Sequence, residues 1–300
     1  MPQSDATSAW EAAAQGWTRW EAVNTAYLRP ATEMMLDRAE IGPGSRVLDV
    51  ACGAGEQSIA TARRAGPSGS VLATDMAPAM IAAAGAAVAA AGLANVTTRV
   101  CPAEAVRHDG NPFDAAICRL GLMLMADPAL ALRGILATLR PGGRFAAVVP
   151  GPAERNPFNA LPLEVLRRHA GKPAPPSGPG LFALADAARL VRLLEEAGFV
   201  GVTVTAVPSV RRLASVEAGV TMIKDAFGFY RALIDDQPEP VQTAAWAEVA
   251  QVLRRFEGRE GAEQIAGERD VLRRESDLRN KNALVAPGDL LVAAGRAASS

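Results

Sequence analysis

Between residues 46 and 149 short apolar runs alternate with longer segments of helical pattern. The runs are "RVLDVA" (46–51), "SVLATD" (70–75), "VTTRVC" (96–101), "FDAAIC" (113–118) and "GRFAAVV" (143–149). Near-continuous apolar strands separated by helix-length segments predict a parallel sheet covered by helices on both faces. The intervening helices are expected over Glu56–Arg64, Pro78–Ala91 and Asp127–Leu139. In the last of these Asp127 can accept from the free N–H groups of the first turn, and Pro128 suits the first helical position. Upstream, Trp10 to Glu40 reads as helix, with Trp10, Trp17, Trp20 and Tyr27 recurring near one face until "GPG" (42–44) ends it.

Beyond Pro150 the pattern changes. "FNALPLEVLRRHAG" predicts a short helix, whereas "KPAPPSGPG" (172–180) is too rich in proline and glycine to form an element and reads as either a hinge or a surface connection. The helix "LADAARLVRLLEEAGF" leads into a strand, "GVTVTAV" (201–207), but the next strand-like run is "DLLVAAG" (289–295). The intervening residues are mostly helical by pattern and are read as a cap laid on the sheet. The expected organisation is an N-terminal helical segment (1–40), a ligand-binding core (41–207) with a lid segment (151–183), a helical cap (208–288), and a last strand and tail (289–300).

Composition narrows the partners. Lysine and arginine number 31 against 32 acids, a net charge of −1, which gives no electrostatic case for nucleic acid. The charged stretch 254–281 mixes signs closely and reads as a solvated helix face rather than a basic patch. Cys52, Cys101 and Cys118 fall in no disulfide or zinc pattern, so a reducing compartment and no metal are expected. No leader pattern and no apolar run of the ~20 residues a membrane span needs is present. The expectation is a soluble, cytoplasmic protein acting on a small molecule, with a homodimer left open.

The candidate chemistry begins at "VLDVACGAGE" (47–56). In an open parallel sheet ligands bind beyond the carboxyl ends of the strands, where the first strand-to-helix turn lies. Gly53 and Gly55 allow close backbone approach, and the helix starting near Glu56 offers free N–H groups to an anion. A dinucleotide fingerprint would need a third glycine where Ser58 stands, which counts against a nicotinamide cofactor. The Asp49 carboxylate would repel a pyrophosphate but favour a ligand with positive charge, such as S-adenosylmethionine, and it can also bond to the turn itself. Asp75, ending the second strand, is placed to accept the ribose hydroxyls of an adenosine ligand.

These residues resemble the class I S-adenosylmethionine-dependent methyltransferases, in particular the ubiquinone/menaquinone-biosynthesis branch. "VLDVACGAGE" matches the first motif, "VLATDMAPAMI" the second, "FDAAICRLGLMLMADP" the fourth-strand segment and "LRPGGRFAAVV" the turn and fifth strand. The resemblance implies a Rossmann-like, doubly wound α/β fold with a seven-stranded sheet whose last strand is antiparallel. It implies cofactor contacts at Asp49, Ala51, Gly53, Ala54, Gly55, Asp75, Met76 and Arg119, and at the "CPAE" segment with Pro102, Ala103 and Glu104. The family commonly has an acid for adenine where this chain has Pro102; Ala103 can still offer its N–H, and Glu104 is a substitute acceptor.

The expected reaction is methyl transfer by in-line displacement to an O, N or C atom of a lipophilic or aromatic small molecule, releasing S-adenosylhomocysteine. Candidate walls of the acceptor site are Trp17, Trp20, Tyr27, Leu120 and Met123, together with the cap; each has core packing as the alternative. Of the two histidines, His169 follows the fifth strand and is the candidate general base, against the alternative of a surface histidine near a helix end, while His108 sits in the polar "RHDGNP" loop. Non-methylating chemistry with the same cofactor, and a catalytically silent binding module, are the competing readings; a nicotinamide-dependent oxidoreductase comes third.

Overall fold

The computed structural model describes residues 3–107, 110–174, 178–258 and 282–299. His108, most of the charged stretch 254–281 and the centre of the proline-glycine stretch lie outside the described residues. The strands are β1 (Arg46–Val50), β2 (Ser70–Asp75), β3 (Val96–Val100), β4 (Phe113–Arg119), β5 (Leu139–Pro150), β6 (Val200–Leu213) and β7 (Leu284–Arg296). They form one seven-stranded sheet in the order β3-β2-β1-β4-β5-β7-β6. The first five strands are parallel, and β7 runs antiparallel between β5 and β6. Strand order therefore reverses at β1, which places a crevice beyond its carboxyl end.

Alternation along the strands feeds two cores. Leu48, Val50, Ala116, Cys118, Phe145 and Ala147 face α5 (Pro128–Thr138) and α7 (Ala187–Glu196) on one side. Val47, Ile117, Ala146 and Val148 face α2 (Glu21–Arg38) on the other. Helix α5 begins as its sequence dictates, with Asp127 accepting from the Leu130 N–H at 2.8 Å and Pro128 in the first turn.

The expected single helix from Trp10 to Glu40 is instead two, α1 (Gln3–Arg19) and α2, broken at Trp20. Tertiary contacts account for the break: α2 lies on the sheet against β6, whereas α1 is drawn onto α8 (Val216–Ala226). Trp20 Nε1 donates to Asp225 at 3.3 Å at this junction. The last two strands are also longer than the apolar pattern suggested. Their mutual ladder extends from Val200↔Arg296 to Leu213↔Leu284, so residues such as Arg211 and Arg212, polar enough to hide a strand signal, are carried by antiparallel pairing. Past this ladder, α8, α9 (Gly228–Ile234) and α10 (Glu239–Leu253) pack with α6 (Pro157–Ala170) around Phe158, Leu166, Met222, Tyr230 and Val249. Among the described residues no helix is long and apolar enough to cross a membrane.

One buried acid joins the sheet to α3 (Glu56–Ala65). Asp49 is fully buried; its carboxylate accepts from Gln57 Nε2 and Ser58 Oγ, each at 2.5 Å. Burial pushes its pKa from the ordinary 3.8 up to about 7, with the two hydrogen bonds pulling the other way. Because the folded value lies above the unfolded one, the stability Asp49 contributes is complete below pH 3.8 and is lost as pH rises through about 7.

Two expectations follow from these contacts. Asp49→Asn keeps both bonds, its Oδ1 accepting from Gln57 and its Nδ2 donating to Ser58. Thermal denaturation between about pH 4 and 8 should therefore show the wild-type Tm falling relative to the variant, then running parallel to it once Asp49 is ionised. Equal slopes throughout would refute the buried titration. Gly16 lies where α1 crosses α8; a methyl group there would sit 2.0 Å from the Asp225 carbonyl oxygen. Replacing a helical glycine gains about 0.5–1 kcal/mol, but overpacking against backbone costs about 1–3 kcal/mol, so Gly16→Val should lower Tm by several degrees. An unchanged Tm would show that the crossing can open freely.

Candidate functional site

Beyond the carboxyl ends of β1, β2 and β4 a cavity of about 570 Å³ opens between the sheet and the helices above it. Its floor is the turn after β1. Ala51 and Gly53 take left-handed conformations, with φ of 57° and 56°, and the space above Gly53 is open, so a ligand can lie directly on this backbone. Gly55 has φ 92° and faces away; a Cβ there would meet the Ala84 backbone at 2.9 Å, so this glycine lets α3 sit against α4 (Pro78–Ala90) rather than lining the cavity.

The turn is pinned from β2. The Cys52 N–H donates to the Thr74 carbonyl at 2.9 Å, and Asp75 accepts from the Gly53 N–H and the Ala77 N–H, both at 3.0 Å. Burial raises the Asp75 pKa while these N–H donors lower it. Asp75 lines the cavity, as do Ala54 and Met76. Asp49 does not: it sits beneath the turn and shapes it from behind.

The neighbouring strand end has a similar strained corner. Leu120, after β4, has φ 58° and is fixed by its N–H donating to the Val148 carbonyl at 2.8 Å. Ala51 and Gly121 are so close that a Cβ on Gly121 would come within 2.5 Å of the Ala51 Cβ. Left-handed backbone at non-glycine residues costs about 1–3 kcal/mol each and persists where surrounding contacts enforce it. Both residues lie in the cavity floor.

Arg119, at the end of β4, is nearly buried and paired with Glu56, the first residue of α3; it also donates to Thr32 Oγ1 at 2.8 Å. Glu104 follows β3, and its Oε1 accepts from the Ala126 N–H at 3.2 Å, tying together the loops after β3 and β4. Ala103 and Glu104 both line the cavity, whereas Pro102 does not. Above this polar floor the walls become apolar: Trp10 and Trp17 from α1, Leu163 from α6, and Phe229 and Leu233 from α9. Trp17 is held edge-on to Phe227, with ring centroids 5.8 Å apart.

Several residues singled out in the sequence lie elsewhere. Met123 is in the core beneath β4. Trp20 bonds to Asp225, and the Tyr27 hydroxyl bonds to Asn156 Oδ1 at 3.2 Å in a buried layer behind the cavity wall. His169 Nε2 bonds to Glu248 Oε2 at 2.7 Å, joining α6 to α10, and does not line the cavity. Conversely, Glu56, Asn24 and Arg167 are cavity residues that the sequence reading passed over. Glu56 had a signal, since it opens the helix after the glycine turn. Asn24 and Arg167 had none, because their role depends on how distant helices pack. Among the described residues no cluster of His, Cys, Asp and Glu is arranged to hold a metal.

Comparison with known proteins agrees with this geometry. A sequence family described as a methyltransferase domain matches residues 41–164. The nocamycin O-methyltransferase of Saccharothrix syringae is 33% identical over 44% of this chain and 48% of its own length. The ubiquinone/menaquinone biosynthesis C-methyltransferase UbiE of Bordetella parapertussis is 38% identical over 37% of this chain and 42% of its own. The matched region thus spans less than half of either relative. In fold, the YcgJ protein of Bacillus subtilis superposes over 90% of this chain and 99% of its own, with a TM-score of 0.55 at 15% identity. Residues 41–164 match a methyltransferase domain, and over part of its length the chain is similar to the class I S-adenosylmethionine-dependent methyltransferases, in particular their ubiquinone/menaquinone-biosynthesis branch.

Proposed function

We propose that this protein transfers the methyl group of S-adenosylmethionine to an oxygen, nitrogen or carbon atom of a lipophilic or aromatic small molecule. One observation carries the reading: a single cavity joins a polar cradle at the strand ends to an apolar chamber under the helices. The cradle fits the cofactor. Gly53 leaves its backbone bare, Asp75 offers carboxylate oxygens to ribose hydroxyls, and Glu56 with Arg119 supplies both signs of charge beside the turn. When bound, S-adenosylmethionine supplies an electrophilic methyl group on a sulfonium.

The protein's part is positional. Holding an acceptor in line with the methyl group and excluding water accounts for much of the rate in such a displacement. Trp10, Trp17, Phe229 and Leu233 provide the dry surface that would orient a flat or lipophilic acceptor. With His169 engaged by Glu248, the reading does not rest on a histidine base at the cavity. Helix α9, packed with α6, α8 and α10, acts here as a cap over the acceptor, and Pro173, Pro179 and Leu181 line the same cavity. The names of the two relatives divide between oxygen and carbon acceptors, so the atom methylated is left to experiment. Three free cysteines and a near-zero net charge favour a reducing, cytoplasmic setting without a nucleic-acid partner.

Incubation with methyl-labelled S-adenosylmethionine and a panel of aromatic and lipophilic acceptors should give labelled product; product without label would point to non-methylating chemistry in the same fold. In calorimetry, Asp75→Ala should raise the Kd for S-adenosylmethionine by about 10- to 100-fold, the worth of one or two hydrogen bonds to a charged group. An unchanged Kd would refute the ribose assignment.

A further inference from the structure

Among the described residues two arginines line the cavity, and only one of them is engaged. Arg119, in the polar floor, is paired with Glu56. Arg167 stands one turn beyond Leu163 on α6 and lines the apolar end with Leu163 and, from α9, Phe229 and Leu233. The charged residues that follow it on the chain have partners: Arg168 and His169 share Glu248, and Lys172 holds Asp236 at 2.9 Å. Arg211, behind the cavity wall, is buried between the Tyr27 and Phe158 rings, its guanidinium carbon 4.0 Å and 5.0 Å from their centroids, and its Nη1 donates to Asn24 Oδ1 at 3.0 Å. Arg167 has no ion pair and no side-chain hydrogen bond among the described residues.

Its surroundings supply no anion. Tyr230 is close enough to feel the guanidinium charge, but burial keeps its phenol protonated, and its hydroxyl donates to the Asn159 carbonyl at 2.8 Å. Glu21, at the start of α2, also lines the cavity; it is exposed and makes no ion pair with Arg167. Arg167 itself is half-buried, and none of its nitrogens is sealed from solvent. A guanidinium set against apolar side chains has given up part of its hydration, and an anion entering the cavity would compensate it. Its planar fork of N–H donors matches a carboxylate with two parallel hydrogen bonds.

We propose that Arg167 receives a carboxylate of the acceptor molecule, while Trp17, Phe229 and Leu233 take its hydrocarbon part. The substrate class then narrows from lipophilic or aromatic to a lipophilic or aromatic carboxylic acid, bound as its anion. This inference rests on the methyltransferase reading for its description of the ligand as an acceptor. Arg167 is a specificity-determining residue: it selects the charge of the molecule that enters the apolar end and leaves the glycine turn alone.

The test uses two probes of matched shape, 2-naphthoate and 2-naphthamide, of which only the first is charged. Each Kd is measured by equilibrium dialysis with S-adenosylhomocysteine at saturation, which keeps the probes out of the polar cradle; the Kd of S-adenosylhomocysteine is measured separately by calorimetry. Wild-type protein should bind the naphthoate about 10-fold or more tightly than the amide, the effect of hydrogen bonds to a charged group. Raising salt from about 50 to 500 mM should weaken naphthoate binding several-fold and leave the amide unchanged. In Arg167→Met the preference should disappear, with the amide and S-adenosylhomocysteine still bound as in the wild type. Arg167→Lys keeps the charge without the fork and should retain part of the preference, which carries the test if the methionine variant does not fold. Equal wild-type affinities, no binding of naphthoate, a salt-independent preference, or a preference that survives Arg167→Met would overturn the proposal. So would weaker S-adenosylhomocysteine binding in Arg167→Met, which would assign the arginine to the cofactor. Failure of the wild type to bind S-adenosylhomocysteine or to transfer label would instead overturn the methyltransferase reading.

Discussion

The cavity floor depends on a buried carboxylate under the first strand-to-helix turn. Asp49 is fully buried, and it holds Gln57 and Ser58, the second and third residues of α3. Those two bonds fix where the helix starts relative to β1, and hence where Ala51–Gly55 must run between them. Thr74 adds a second tie, its hydroxyl donating to the Asp49 carbonyl at 3.1 Å while its own carbonyl receives the Cys52 N–H. A turn held from below by an acid and from the side by the next strand can keep strained dihedrals that an isolated loop would relax. This explains how the exposed face of the turn can be bare backbone: Asp49, Ser58 and Thr74, which help to shape it, lie behind it.

The same economy governs charge. The cavity carries Asp75, Glu104 and Glu56, but Arg119 neutralises Glu56, and backbone N–H groups hold Asp75 and Glu104 in place. Fixed dipoles and pairs of this kind need no reorganisation when a ligand with both charges arrives, which is the useful property of a preorganised polar site. The thiols nearby take no part. Burial pushes Cys118 up to about 12 and Cys52 well above its usual range, so both behave as small apolar groups, Cys52 at the cavity and Cys118 in the core beside it.

The sheet and the glycine turn at the cavity floor were legible in the sequence because they are local. Each strand, turn and cap in residues 46–150 is specified by a contiguous run, and the glycines and acids that line the cradle belong to those same runs. The exceptions are instructive. Asp49 was singled out as a cofactor contact but bonds to Gln57 and Ser58 rather than lining the cavity, because strand alternation turns it to the face that α3 covers. Tyr27 and Trp20 belong to an aromatic stripe that does face inward, but the break at Trp20 sends Trp10 and Trp17 to the cavity and the other two into packing against β7 and α8. His169 was placed by its position along the chain, and Glu248, a residue far away in sequence, decides where its ring goes.

The apolar end of the cavity was illegible for a deeper reason: it has no motif to find. Its walls are drawn from separate stretches of chain, Trp10 and Trp17 of α1, Leu163 of α6 and Phe229 and Leu233 of α9, while behind them β6 carries Arg211 under α2. Gly288 on β7 makes room for the Tyr27 ring, which in turn stacks on Arg211, so one small residue on a long strand positions an aromatic, a cation and an amide in series. Desolvated cation–π contacts are worth about 2 kcal/mol, enough to help keep the guanidinium where it is but less than full hydration would return, so the arginine stays dependent on Asn24. The polar end and the apolar end of the cavity are thus specified by different parts of the sequence and held by different forces. Substitutions in α2, α9 or α6 can reshape the apolar end of the cavity while leaving the turn above Asp49 untouched.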